Sequence, residues 1–146
     1  MIRTDRRIRL CRAMIVAILA FIWGNSLMPG WISQAISDAL AWFLLGTKPL
    51  DGEMAAGSGV LRKLAHFTEF MGLGMCLAWL YGMLGKGKVR PFLWGVLAAA
   101  ADETIQCFVP ERGPGIKDVC IDSAGVLTGI VLLWFGHHYL KKRSIE

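Results

Sequence analysis

This chain has no CxxC pair, no internal repeat and no low-complexity segment, and it holds only four cysteines. Cys11, Cys76, Cys107 and Cys120 lack metal-ligand spacing, which excludes a zinc site built on them. Cys107 and Cys120 both fall near the outer face of the topology derived below. Cysteine in such segments usually serves as a small apolar residue rather than a disulfide partner. Nucleotide signatures are missing too. Gly72-Leu73-Gly74 has no strand ahead of it, and Lys86-Gly87-Lys88 lacks the rest of a P-loop. No serine or cysteine nucleophile stands clearly beside His66, so no known hydrolase signature is complete.

What the sequence does have is apolar surface. Of its 146 residues, 55% are hydrophobic, and the mean hydropathy is +0.49. A soluble domain of this size cannot hide that much in one core, so lipid is the expected solvent. The net charge of +5 sits in clusters that flank apolar stretches. Arg3, Arg6, Arg7, Arg9 and Arg12 precede the first stretch, Lys86, Lys88 and Arg90 lie between two, and Lys141, Lys142 and Arg143 follow the last. That is the pattern of cytoplasmic anchors and not of a phosphate-tracking stripe, so nucleic acid is not an expected partner.

The apolar pattern predicts an all-α, integral membrane four-helix bundle forming one domain over residues 1–146, with spans at about 10–28, 60–84, 91–108 and 118–140. The first resembles a signal peptide in its basic flank, but Asn25-Ser26-Leu27-Met28-Pro29 is a poor cleavage site, so an uncleaved helix is expected. Residues 31–45 mix Trp31, Ala35, Leu40, Trp42 and Phe43 with Ser33, Gln34, Ser37 and Asp38, which reads as an amphipathic helix lying in the membrane interface. Residues 46–59, with Pro49, Asp51-Gly52 and Gly57-Ser58-Gly59, read as a loop. Eleven of the sixteen Lys and Arg residues lie at the two termini and the 85–90 turn, which places all three in the cytoplasm.

In that topology the charged residues inside the spans share one depth. Arg62, Lys63, His66 and Glu69 lie where the second span enters from outside, Asp102, Glu103 and Gln106 where the third leaves, and Asp118 and Asp122 where the fourth enters. Arg62, His66 and Glu69 recur at i, i+4 and i+7, one helical stripe, and Asp118, Asp122, Gly125 and Gly129 form another that continues into a Gly-xxx-Gly groove. Ionisable groups in a membrane must turn inward or pay several kcal/mol, so these stripes predict a polar pocket opening outward above an apolar base. The loop carrying Arg112 crosses above it and can bring a guanidinium down to the acids.

These same residues carry a family resemblance. Arg62-Lys63-Leu64-Ala65-His66-Phe67-Thr68-Glu69-Phe70 resembles the RK-x-AHF-x-EF signature of the VanZ-like family, and Asp102 through Arg112 resembles its DE-x-x-Q-x-F-x-P-x-R segment. Asp118-Val119 with Asp122 and Gly125 resembles its D-V-x-x-D-x-x-G, and Phe21 through Pro29 its first-helix motif. The resemblance implies a multi-pass protein of the bacterial cytoplasmic membrane and cell envelope. The family is named for a member that lowers susceptibility to teicoplanin, a lipid-tailed glycopeptide antibiotic, but the resemblance implies no defined reaction.

Three readings of the cluster follow. In the first, Arg62, Lys63, Gln106, Arg112, Asp118 and Asp122 bind an anionic lipid-linked molecule from the outer leaflet, such as a cell-wall intermediate or a lipoglycopeptide. In the second, His66, Glu69, Asp102 and Glu103 supply acid–base chemistry, or Glu69, Asp102, Asp118 and Asp122 hold a divalent cation, for attack on a lipid phosphoester. In the third, the charges form a structural network that keeps the helices in register, although a hydrophobic core would be at least as stabilising. His137 and His138, at the far end of the last span, read as interfacial anchors. The inner halves of the spans have almost no ionisable groups, which argues against a proton relay.

Overall fold

In the computed structural model the apolar stretches are helical: α1 (Ile2–Ser26), α2 (Gly30–Leu45), α3 (Met54–Met83), α4 (Val89–Gln106) and α5 (Ile116–Arg143). The structure describes residues 2–45, 54–87, 89–113 and 115–143, and among them there is no strand, so the expected all-α class is observed. Two helices are long and apolar enough to cross a membrane, over Thr4–Ser26 and Ile116–Tyr139. The polar and charged residues at 62–69 and 102–106 lie on α3 and α4.

The helix boundaries have local causes. α1 ends shortly before Pro29, whose ring disfavours helix in the residue before it. The Pro29 carbonyl then accepts the amides of Ile32 and Ser33, which starts α2. Pro91 stands in the first turn of α4, where an amide has no helical acceptor to lose. Gly85 and Gly87 both adopt the left-handed region (φ 64° and 59°) in the turn after α3, a conformation that glycine alone takes freely.

One expectation is corrected. Gly57-Ser58-Gly59 is helical and not loop, because α3 already begins at Met54. Each glycine costs about 1 kcal/mol in a helix, but a long helix already nucleated downstream propagates through such positions at one hydrogen bond per residue. The remainder of that expected loop, residues 46–53, lies outside the described residues.

α3 is the hub of the fold and packs against each of the other four helices. The core contains Ile22 of α1, Phe70, Leu73 and Leu77 of α3, Ala99 of α4 and Val126 of α5, all buried. Small residues set how closely these helices approach. A Cβ at Gly125 would fall on the Phe67 carbonyl, one at Gly129 on the Met71 carbonyl, and one at Gly74 on the Val126 carbonyl, so α3 and α5 touch backbone to backbone. The expected Gly-xxx-Gly groove is thus filled by α3. Among the described residues, α2 supplies none of this core, and it leaves Trp31, Trp42 and Phe43 exposed. Its first residue is strapped to the α4–α5 connection, where the Gly30 amide donates to the Pro110 carbonyl at 3.2 Å.

Candidate functional site

The last turn of α1, the first half of α3, the last turn of α4 and the first turns of α5 meet at one end of the bundle. Four polar residues there are buried: Ser26, Asp102, Glu103 and Asp122. Helical periodicity turns each stripe inward. The reversal of direction between successive helices brings stripes that are distant in sequence to the same level.

Asp102 is fully buried at the centre. Gln106, one turn further along α4, donates from Nε2 to Asp102 Oδ2 at 2.9 Å and is also 3.2 Å from the Ser26 hydroxyl. His66 Nδ1 lies 3.7 Å from the same Asp102 oxygen. His66 therefore faces Asp102 across the α3–α4 contact. Glu69, one turn from His66 on α3, accepts instead from Asn25 Nδ2 of α1 at 3.0 Å. Lys63 Nζ lies 3.8 Å from Asp118 Oδ1, in a pair that is half exposed.

The remaining acid and the loop arginine act on the backbone. Glu103 Oε1 accepts the amide of Gly115, just ahead of α5, and so ties the end of α4 to the start of α5. Arg112 donates from Nη2 to the Asn25 carbonyl at 3.0 Å, near the end of α1, where the same oxygen also accepts the Met28 amide at 3.2 Å. Sequence reasoning expected this guanidinium to turn toward the acids. It is electrostatically drawn to Asp102 and Glu103, but its hydrogen bond goes to a helix terminus. Burial, followed by the Arg62 charge, pushes the Arg112 pKa down, and Asp102 and Glu103 pull it back up. The guanidinium stays charged throughout.

The network is incomplete on its own terms. Glu69 Oε2, Asp102 Oδ1, Glu103 Oε2 and Asp122 Oδ1 are buried without a hydrogen-bond donor, as are Arg112 Nε and Nη1 without an acceptor. Each such orphan costs about 1–3 kcal/mol unless a further partner reaches it.

Beside these groups lies a partly open cavity of about 20 Å³ lined by Arg62, Lys63, His66, Gln106, Asp118, Ile121 and Asp122. Six of these seven residues were expected from the sequence. Arg112, Glu69, Asp102 and Glu103 are not among the lining residues. Of the four acids expected to hold a cation, the structure brings Asp102 and Asp122 together with His66, and Glu69 and Asp118 lie outside that group.

A second, shallow groove adjoins the first and was not anticipated. It is lined by Val60, Lys63, Leu64, Phe67 and Ile121, and it shares Lys63 and Ile121 with the polar cavity. Val60, Lys63, Leu64 and Phe67 fall at i, i+3, i+4 and i+7, so the periodicity that revealed the polar stripe would have revealed this one beside it. All four cysteines are free thiols; Cys11 and Cys76 are buried, and Cys107 and Cys120 are exposed.

No curated protein and no solved structure matches the chain. The VanZ/LLP1 family does, over residues 12–137, a stretch that contains every residue of the polar cluster and of both its walls, and the chain therefore belongs to that family.

Proposed function

We propose that this protein is a multi-pass protein of a bacterial cytoplasmic membrane. In this reading α1, α3, α4 and α5 span the bilayer, α2 lies in the outer interface, and both termini are cytoplasmic. We further propose that the polar cavity receives the anionic head of a lipid-linked cell-envelope molecule. The observation that carries the reading is the shared wall. A cavity presenting Arg62 and Lys63 lies beside an apolar groove along α3 and α5, with Lys63 and Ile121 common to both. That pairing suits one amphiphile, with a phosphate or carboxylate at Arg62 and Lys63 and a hydrocarbon chain along Val60, Leu64 and Phe67. The membrane reading is supported by an inverted pattern of exposure. Leu10, Val16, Leu64, Leu97, Leu127 and Phe135 face outward while Asp102, Glu103 and Asp122 are buried. An effect on teicoplanin susceptibility would follow if the occupant is a lipoglycopeptide or the precursor it binds.

The test uses full-length protein in phosphatidylcholine nanodiscs, offered a long-chain polyprenyl phosphate or the corresponding neutral alcohol and read by native mass spectrometry. The phosphate should be retained at least tenfold better, and Arg62→Glu should abolish the preference, since a charge-assisted hydrogen bond contributes about 1.5–3 kcal/mol. Equal retention of phosphate and alcohol, or indifference to Arg62→Glu, would overturn the reading. Topology has its own check. The exposed Cys107 should react with a membrane-impermeant maleimide in intact cells, and reaction only after lysis would reverse the orientation.

A second reading rests on His66, which lines the cavity, and Asp102, 3.7 Å from it. An imidazole oriented by a carboxylate is a general base that takes a proton from water as the water oxygen attacks phosphorus, with the P–O bond to the lipid breaking and the lipid alcohol leaving with a proton. Phosphate release from the retained ligand, lost in His66→Gln while retention persists, is the result that would favour it.

A further inference from the structure

His66, Asp102 and Asp122 come from three different helices, yet they offer three ligand atoms that all lie within 4.8 Å of one another. Asp102 and Asp122 are almost wholly buried, at 0% and 2% exposure, and Oδ1 of each has no hydrogen-bond donor. An anionic oxygen removed from water without a donor is among the costliest groups a fold can bury, and a coordinated cation is one of the few partners that offsets it. Gln106 already holds Asp102 through Oδ2, which leaves Oδ1 free and fixes the carboxylate as a second-shell donor does in metal sites.

The charge count points the same way. Five carboxyl groups, Glu69, Asp102, Glu103, Asp118 and Asp122, gather at this end with only three cationic side chains, Arg62, Lys63 and Arg112, an excess of acids that a bound divalent cation would balance. His66 and Asp122 also line the 20 Å³ cavity, which exceeds the roughly 10–15 Å³ needed for one water-sized sphere. An ion held at about 2.0–2.2 Å from each donor brings its ligand atoms to roughly 3–3.5 Å apart. Reaching that spacing from separations of up to 4.8 Å requires the donor atoms to draw together by up to about 1.5 Å.

We infer that His66, Asp102 and Asp122 form a binding site for a divalent transition cation of the zinc or manganese class, with its open coordination position toward the cavity. The imidazole selects against magnesium and calcium, which take oxygen donors, and the two carboxylates select against a soft copper(I) site. The inference stands on these donors alone and does not require the amphiphile proposed above.

Full-length protein in detergent, stripped with chelator and dialysed against zinc or manganese alone, should retain one ion per chain with a dissociation constant below about 10 µM. His66→Gln and Asp122→Asn should each weaken retention at least tenfold, while a His137→Gln/His138→Gln double variant keeps the ion. X-ray absorption on the zinc-loaded wild type supplies a readout that no variant's folding can obscure, with one imidazole and carboxylate oxygens expected around the metal. A folded wild type that retains no ion overturns the site. So does retention lost with His137 and His138 but not with His66, and so does a shell of thiolates or of two imidazoles.

Discussion

Along the contact between α3 and α5, Gly74, Gly125 and Gly129 let one helix backbone rest on another, and Phe70, Leu73 and Val126 fill the space around them. At the adjoining end the same helices are joined by side chains that carry charge, and several of those side chains are only half satisfied. The first region has what stability requires, namely close packing of apolar side chains and backbone. The second has features that stability argues against, including two aspartates buried with a free oxygen each. Close packing is concentrated in the first region, and the half-satisfied groups of the second are what the proposed binding role would call for.

Three changes would break or sharpen that contrast. The largest effect is expected in the packed region. Gly129→Val places a branched side chain on the Met71 carbonyl and the Met75 amide, atoms of a backbone that cannot move without separating α3 from α5. Thermal unfolding in detergent should show a loss of about 3 kcal/mol or more, or no folded protein at all. An unchanged midpoint would mean that the two helices do not pack as described.

The next effect has the opposite sign. Asp122→Asn replaces a buried carboxyl group, crowded by other acids and with no donor at Oδ1, by a neutral amide of the same shape, so chelator-treated protein should gain stability by up to about 1 kcal/mol. A loss of several kcal/mol instead would show that Asp122 belongs to a structural network. The smallest effect is at the rim. Lys63 and Asp118 are 3.8 Å apart, with side chains 47% and 30% exposed, so Lys63→Ala should change stability by less than about 0.5 kcal/mol. The same variant should weaken retention of a lipid phosphate, which separates the role of Lys63 in binding from its minor role in folding.

Much of this site can be read in the linear sequence because helical periodicity is local. Arg62, His66 and Glu69 must share a face wherever the helix lies, and so must Asp118 and Asp122. Alternation of helix direction then sets them at one end. Which groups meet across helices is another matter. His66 and Glu69 are three residues apart, but His66 faces Asp102 and Glu69 is held by Asn25, 44 residues away. Arg112 reaches a carbonyl 87 residues distant, and nothing local to Arg112 marks the end of α1 as its acceptor. The start of α3 was misread for a related reason, since Gly57 and Gly59 have poor local propensity that a long cooperative helix overrides.

The sequence by itself therefore determined the helical class, the faces of the helices and the residue types gathered at one end, because each depends on spacing along a single helix. Only the tertiary structure decided how those helices are rotated and how closely they approach. It brought ligand atoms of His66, Asp102 and Asp122 within 4.8 Å of one another, spent Glu103 and Arg112 on backbone groups, and opened an apolar groove beside the charged cavity. Those outcomes depend on contacts between side chains far apart in the chain, and backbone-to-backbone packing at the glycines is what sets their geometry.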